Sequence, residues 1–204
     1  MLIFSDNQIL FTLHSLQQHN MPLELHYYGH PVLRSKGRRI EKITPEIQHL
    51  AEQMIEAMYE YDGCGLAAQQ IGSSLQMAVI DVIIAMKDRP SKAWIDGKQI
   101  DLACLTPMVL INPEIIPLGD KTSLDDEACL SIPEVRAKVK RPARIKLRYQ
   151  SLDGEQVELE AEGLLARAAM HEVDHLNGIL FIDHLPPHEL KQFQPILNQL
   201  MRKK

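Results

Sequence analysis

Two histidines and a glutamate near the C-terminal end of the chain have the spacing of a metal-dependent hydrolase. His171, Glu172 and His175 form the pattern HExxH. Residues four apart on a helix lie on one face, so both imidazoles can bind a single metal ion while Glu172 exchanges protons with a bound water. Because two histidines and a glutamate also fall by chance on polar helix faces, other residues must support this interpretation.

A catalytic metal ion of this kind needs a third protein ligand and an open position. The metzincin pattern would place a histidine where the chain has Phe181, and the only downstream glutamate, Glu189, follows closely after two prolines. Cys129 is the best upstream candidate. For a cysteine considered alone, however, a buried thiol that acts as a small apolar group is the simpler interpretation.

Three separated segments of the chain resemble the peptide deformylase family, in the same order. GCGLAAQQIG at 63–72 is similar to the family's GxGxAAxQ, EACLS at 127–131 to EGCLS, and MHEVDHLNG at 170–178 to QHExDHLxG. YGHPVLRSKG and IPEVRAKVKRP extend the resemblance. It implies an N-terminal extension over residues 1–24 and a single metal-dependent catalytic domain over residues 25–204.

The resemblance implies a metal site and a reaction. Cys129, His171 and His175 would bind one divalent ion, natively Fe²⁺, with Ni²⁺, Co²⁺ or Zn²⁺ also accepted. Glu172 would act as general base and then as general acid in removing the N-terminal formyl group from a nascent polypeptide. The side-chain amide of Gln70 and the backbone N–H of Leu130 would donate hydrogen bonds to the developing oxyanion.

The residues implied to bind the peptide substrate surround this site: Cys64, Gly65, Ala128, Leu164 and Arg167. Gly65 would let an extended peptide lie against the backbone. A phosphate-binding loop is the alternative for the glycine-rich segment, but no GxxxxGK pattern follows. Ala128, Met170 and Gln69 depart from the family pattern without removing a ligand or the base.

Arg167 is the departure with the largest consequence, because an unpaired guanidinium is costly in an apolar pocket for a methionine side chain. We expect Arg167 to extend outward and leave the pocket intact. The alternative is an ion pair with Asp125 or Asp126 that reshapes the pocket and changes the preference for methionine.

The elements that must position these residues are partly visible in the sequence. A helix is predicted from Thr44 and Pro45 to a turn at or before Gly63, a second helix follows Gly163 and ends at Asn177 and Gly178, and a third covers about 187–204. The first twenty residues also show helical spacing. Strands are predicted at 76–82, 107–116 and 131–139, with an acidic loop at 125–127.

A surface hairpin is predicted at 145–163, with positive φ at Asp153 and Gly154. The whole pattern favours an α+β fold: antiparallel or mixed sheets packed around a central helix that carries HExxH, with a C-terminal helix.

Composition excludes several classes of protein. The 204 residues include 27 acidic and 22 basic side chains, a net charge of −5 that argues against direct nucleic-acid binding. No segment has the roughly 20 apolar residues of a membrane span. Three cysteines and an N-terminus without a basic signal region favour the cytoplasm.

Two further interpretations of function stay open. A deformylase-like hydrolase with an altered N-formyl or N-acyl substrate would explain Ala128 and Arg167, and a catalytically idle metal protein could hold peptide termini in the same cleft. The basic C-terminus, Arg202 to Lys204, either docks on ribosomes or simply complements the dipole of its helix, and the second is the simpler interpretation.

Overall fold

A seven-stranded antiparallel sheet forms the larger part of the protein in the computed structural model, which describes residues 23–87 and 89–202. The spatial order is β1-β2-β5-β8-β9-β3-β4. In chain order its strands are β1 (Gly65–Ala67), β2 (Met77–Ile80), β3 (Ser91–Ile95), β4 (Lys98–Ile100), β5 (Met108–Pro117), β8 (Arg144–Gln150) and β9 (Gln156–Gly163).

A second sheet consists of one long antiparallel pair, β6 (Thr122–Cys129) and β7 (Ile132–Pro142). The pairing is continuous from Thr122 opposite Pro142 and shifts in register between Ala128 and Cys129. Cys129 then pairs with Ile132 across a two-residue turn. An isolated two-stranded ribbon is marginally stable, so this pair needs partners elsewhere in the fold.

Residues 23–87 and 89–202 contain three α-helices: α1 (Pro45–Glu60), α2 (Leu164–Leu176) and α3 (Pro187–Arg202). α2 begins directly after β9 and is buried along nearly its whole length. One face packs on the large sheet, where Leu165 and Ala169 join Leu110 and Leu147 in a fully buried core. α3 packs on β7 through Leu197 and Leu200. The predicted α+β architecture around a central HExxH helix is confirmed.

The predicted ends of the helices are largely correct. Pro45 is the first residue of α1, and Ala51, Met54 and Met58 form its buried face. Asn177 ends α2, and Gly178 follows with φ 74°. The helix predicted in the first twenty residues, Lys203 and Lys204 lie outside the described residues.

Several local predictions were wrong. The acidic segment Asp125 to Glu127 is not a loop but part of β6, because arginines partner the carboxylates of Asp125 and Glu127. The hairpin β8–β9 is not a surface hairpin, because it lies between β5 and β3 in the large sheet and one of its faces is buried. Within its turn Gly154 has a positive φ, at 84°, but Asp153 does not.

The buried face of β8 gives a test of the core. Ile145 is fully buried, whereas Ile84 is 84% exposed. Ile145→Ala should lower the free energy of unfolding by about 2–5 kcal/mol, because it removes packed methyl groups and leaves a cavity. Ile84→Ala, the matched control, should change it by less than about 0.5 kcal/mol. Urea unfolding followed by circular dichroism measures both, and equal small losses would contradict this description of the core.

Candidate metal centre

Three buried donor atoms converge between β6 and α2. One ligand atom each from Cys129, His171 and His175 lie within 4.8 Å of one another. The Sγ atom of Cys129 is 3.2 Å from Nε2 of His175. Thiolate and imidazole ligands on one tetrahedral ion lie roughly 3.5 Å apart, from ordinary metal–ligand distances, so this separation suits a shared metal.

Two elements bring the donors together. The imidazoles lie one turn apart on α2, where their rings make an edge contact with centroids 5.1 Å apart. Cys129 ends β6 at the register shift, a kind of irregularity that re-aims side chains. Glu127 and Cys129 are both buried on the same side of β6, while Ala128 between them is exposed.

A buried ionic network orients His171. Its Nδ1 donates to Oε2 of Glu127 at 2.9 Å, which leaves Nε2 for a metal. Arg141 donates to both oxygens of Glu127, at 2.8 and 2.9 Å. Burial alone would raise the pKa of Glu127, but Arg141 and His171 outweigh it and hold that pKa far below its usual range.

The two imidazoles have opposite pKa shifts. Burial and the nearby cationic groups lower the pKa of His175 well below its ordinary value, so this ring stays neutral, as a metal ligand must. Burial also lowers the pKa of His171, but hydrogen bonds with Cys129 and Glu127 outweigh that effect and raise it.

Glu172 is a buried carboxyl group with an unusual pKa. Its Oε2 atom has no hydrogen-bond partner among the described residues. Burial is the largest influence and raises the pKa of Glu172 to about 7. Gly65 makes room for this group, since a Cβ atom there would lie 2.3 Å from Oε1 of Glu172. A carboxyl group that titrates near neutral pH is suited to accept and return a proton.

Gln70 and Leu130 flank the same site. The Gln70 amide is buried, accepts from the backbone N–H of Ala67 at 2.8 Å, and donates to Oγ of Ser131 at 3.2 Å. Its nitrogen is 3.7 Å from Sγ of Cys129. Leu130 lies in the turn that follows Cys129 and lines the cleft.

A cleft of about 420 Å³ opens beside these groups. It is lined by all five residues predicted to bind substrate: Cys64, Gly65, Ala128, Leu164 and Arg167. It also contacts Gln70, Cys129, His171 and Glu172, whereas His175 lies behind them. The cleft therefore leads to the donor cluster from one side.

Comparison with known proteins identifies the family of the chain. The sequence model for polypeptide deformylases matches residues 22–191. The peptide deformylase of Agrobacterium fabrum is 44% identical over 155 residues, which cover 76% of this chain and 82% of that protein.

The chain belongs to the polypeptide deformylase family.

Solved deformylase structures share its fold. The peptide deformylase of Synechococcus elongatus, in complex with actinonin, has 37% identity and a TM-score of 0.69, with 91% of this chain and 87% of that chain covered. The deformylase of Thermotoga maritima has 38% identity and a TM-score of 0.67, with 82% and 100% covered. Members of the family are metal-dependent enzymes that remove N-formyl groups from nascent peptides.

The expectation that Arg167 extends outward was wrong. In this deformylase fold its side chain is only 5% exposed and donates to Glu127 at 2.7 Å, to the Val139 carbonyl at 2.9 Å and to Ser123 Oγ at 2.9 Å. Asp125 is a weaker partner, at 3.9 Å. A guanidinium is stable in this position because carbonyl, hydroxyl and carboxylate oxygens surround it.

Sequence reasoning missed the side chains that support the donor cluster, namely Glu127, Arg141, Asp174 and His184. A signal existed for Glu127, because it stands two residues before Cys129 and therefore on the same side of a strand. The acidic run around it suggested a loop instead. Arg141 and His184 had no such signal, since their partners are distant in the sequence.

The Glu127 network predicts a large stability effect. Glu127→Leu leaves the guanidinium groups of Arg141 and Arg167 buried without their carboxylate, so the free energy of unfolding should fall by about 3–5 kcal/mol. Urea unfolding of the metal-free protein, followed by the fluorescence of the single tryptophan, Trp94, gives this value.

Glu155→Leu is the matched control, because Glu155 is exposed in the β8–β9 turn. It should change the free energy of unfolding by less than about 0.5 kcal/mol. A Glu127→Leu variant as stable as this control would show that the network does not stabilise the deformylase fold.

Proposed function

We propose that the chain is a metallohydrolase that removes the formyl group from formyl-methionyl nascent polypeptides. One observation carries the proposal: a buried thiol and two buried imidazoles meet at the end of a cleft, beside a glutamate that titrates near neutral pH. We further propose that residues 25–204 form one catalytic domain and that the enzyme acts in the cytoplasm.

The donor set fits a first-row transition metal. One thiolate and two imidazole nitrogens suit Fe²⁺, Co²⁺, Ni²⁺ or Zn²⁺ rather than Mg²⁺ or Ca²⁺, and a bound cation would displace the proton that the raised pKa of His171 otherwise favours. Of these, we propose Fe²⁺ as the native ion. Cys129, His171 and His175 would hold a divalent ion, which would supply Lewis acidity for the attacking water and the formyl oxygen.

The protein side chains supply the remaining chemistry. Glu172 accepts the proton of the attacking water and later gives it to the leaving amine nitrogen. A pKa of about 7 suits a carboxyl group to both proton transfers. The Nε2–H of Gln70 and the backbone N–H of Leu130 donate to the oxyanion that develops on the formyl group. Ala67 and Ser131 hold the Gln70 amide in place, and the N–H that faces Cys129 Sγ is the one that would turn to the oxyanion.

The cleft favours an extended peptide with an apolar first side chain. Gly65 lies in β1, an edge strand of the large sheet, where a peptide can add as a further strand. Leu164, Ile132 and Ala168 give part of the lining an apolar character. Both terminal nitrogens of Arg167 are engaged by protein oxygens, so its charge does not recruit an acidic substrate group.

Glu172 allows a direct test of the mechanism. Because burial already favours its protonated form, Glu172→Gln preserves shape and polarity and should keep the metal content unchanged. Deformylation of a formyl-Met peptide should fall roughly 10²- to 10⁴-fold, as expected for a lost general base. Metal analysis and a formate-release assay give the two values, with Glu155→Gln as control.

The same experiment separates the enzyme from the idle metal protein. Turnover by Glu172→Gln at the wild-type rate would contradict the proposed role of the carboxyl group. A wild-type protein that holds a divalent metal but turns over no formyl peptide would instead support the binding protein. Docking on ribosomes through the C-terminal residues stays a prediction.

The engagement of Arg167 leads to a prediction about specificity. A formyl-Met peptide should be preferred over the matched formyl-Glu peptide by roughly 10- to 200-fold in kcat/KM, because Leu164, Ile132 and Ala168 line part of the cleft and the guanidinium of Arg167 is engaged by protein oxygens. Equal or higher kcat/KM for formyl-Glu would contradict this preference and would favour the hydrolase with altered specificity.

A further inference from the structure

The 3₁₀ turn Phe181–His184 contacts the proposed metal centre at two points. The ring of Phe181 stacks on His171, with centroids 5.9 Å apart and an interplanar angle of 25°. At the other end of the turn, Nε2 of His184 lies 2.7 Å from Oδ2 of Asp174. Phe181 thus contacts the proposed ligand His171 directly. His184 is connected to the same ligand indirectly, starting with its contact to Asp174.

A continuous series of hydrogen bonds leads from His184 to His171. Arg141 donates to the same oxygen of Asp174 that His184 contacts, at 2.5 Å. The rest of that guanidinium binds Glu127, which accepts from His171. Side-chain exposure falls along the series from 35% at His184 to 19% at Asp174 and 4% at Arg141, so it runs from solvent into the interior.

Proton positions in this series are fixed by chemistry. A deprotonated Asp174 only accepts hydrogen bonds, so Nε2 of His184 must carry a hydrogen. Two donors, one from His184 and one from Arg141, therefore converge on one carboxylate oxygen. Each donor stabilises the carboxylate in the orientation that the other requires.

We infer that His184 is a positioning residue for the metal centre. Its Nε2–H holds the Asp174 carboxylate, Asp174 holds one edge of Arg141, and Arg141 holds Glu127 against His171. Without this donor, the partly exposed Asp174 is free to turn toward water and Arg141 loses its outer support. The inference rests on the proposed metal site and names a residue that contacts neither metal nor substrate.

The turn is anchored independently of the His184 side chain. Asp183 accepts from the backbone N–H of Leu180 at 2.8 Å and forms an ion pair with Arg34. Phe181 and Ile182 are buried in the core. Replacing the partly exposed His184 ring therefore removes the contacts of Nε2 with Asp174 and with Arg141, which lies 3.4 Å away, without removing a core side chain.

Three variants test the inference through Co²⁺ binding. His184→Leu removes the donor, whereas His184→Gln places an amide N–H where Nε2 lies. His188→Leu is the matched control, because His188 is 77% exposed on α3. Co²⁺ affinity is measured by competition with a chelator, and the visible Co²⁺ absorption reports ligand geometry independently of activity.

His184→Leu should weaken Co²⁺ binding on the order of tenfold, because loss of a residue that orients a metal ligand lowers metal affinity by about 10- to 100-fold. It should also shift the Co²⁺ absorption. His184→Gln should restore the wild-type affinity and spectrum, and His188→Leu should leave both unchanged. Thermal unfolding of the metal-free variants is recorded in parallel.

Several results would overturn the inference. These are unchanged affinity in His184→Leu, an equal loss in His184→Gln, or a loss that follows thermal stability across all three variants. If the wild-type chain binds no Co²⁺, the proposed metal site fails and the inference fails with it. If the wild type binds Co²⁺ and His184→Leu binds equally well, only the inference fails.

Discussion

The buried carboxylate of Glu127 is the interaction on which the rest of the site depends. It accepts hydrogen bonds from Arg141 on β7, from Arg167 on α2 and from His171, also on α2. A buried anion is stable only when its lone pairs are satisfied by donors with good geometry. Glu127 meets that condition, and the same contacts orient a proposed metal ligand.

This carboxylate also connects the two sheets. α2 is part of the core of the large sheet, whereas β6 and β7 form a separate two-stranded sheet. Arg167 on α2 donates hydrogen bonds to the Val139 carbonyl, to Ser123 Oγ and to the Glu127 carboxylate. All three acceptors belong to the β6–β7 pair. Because Cys129 ends β6 and the imidazoles lie on α2, the contacts that attach the β6–β7 pair also bring sulfur and nitrogen together.

Sequence patterns predicted those parts of the fold that depend on local periodicity. The HExxH helix, the apolar face of α1 and the antiparallel strands each show their period within a dozen residues. The short strands β1, β3 and β4 were missed because three to five residues carry too little pattern. The segment 125–127 was predicted as a loop because its charges suggest solvent, and only distant arginines make it a strand.

The site divides in the same way between local and distant signals. Cys129 was identified through a motif and the resemblance, not through periodicity, since nothing local joins residue 129 to residue 171. The position of Arg167 was predicted wrongly because the free-energy cost of burying its guanidinium was judged for an apolar pocket. In the structure, oxygens of Ser123, Glu127 and Val139 surround the guanidinium instead. These residues lie on β6 and β7, and no sequence spacing predicts that they contact α2.

The two glutamates beside the donor cluster show how surroundings assign chemical roles. Both are buried, and burial raises the pKa of each. Arg141 and His171 reverse that effect at Glu127, whereas Oε2 of Glu172 has no hydrogen-bond partner in the part of the chain that the structure describes. Glu127 therefore stays an anion across the physiological pH range, whereas Glu172 titrates near pH 7. A permanent anion is suited to hold a histidine in one tautomer, and a carboxyl group near half-protonation is suited to carry a proton. The two side chains are chemically identical, so the difference in their pKa values comes from their surroundings.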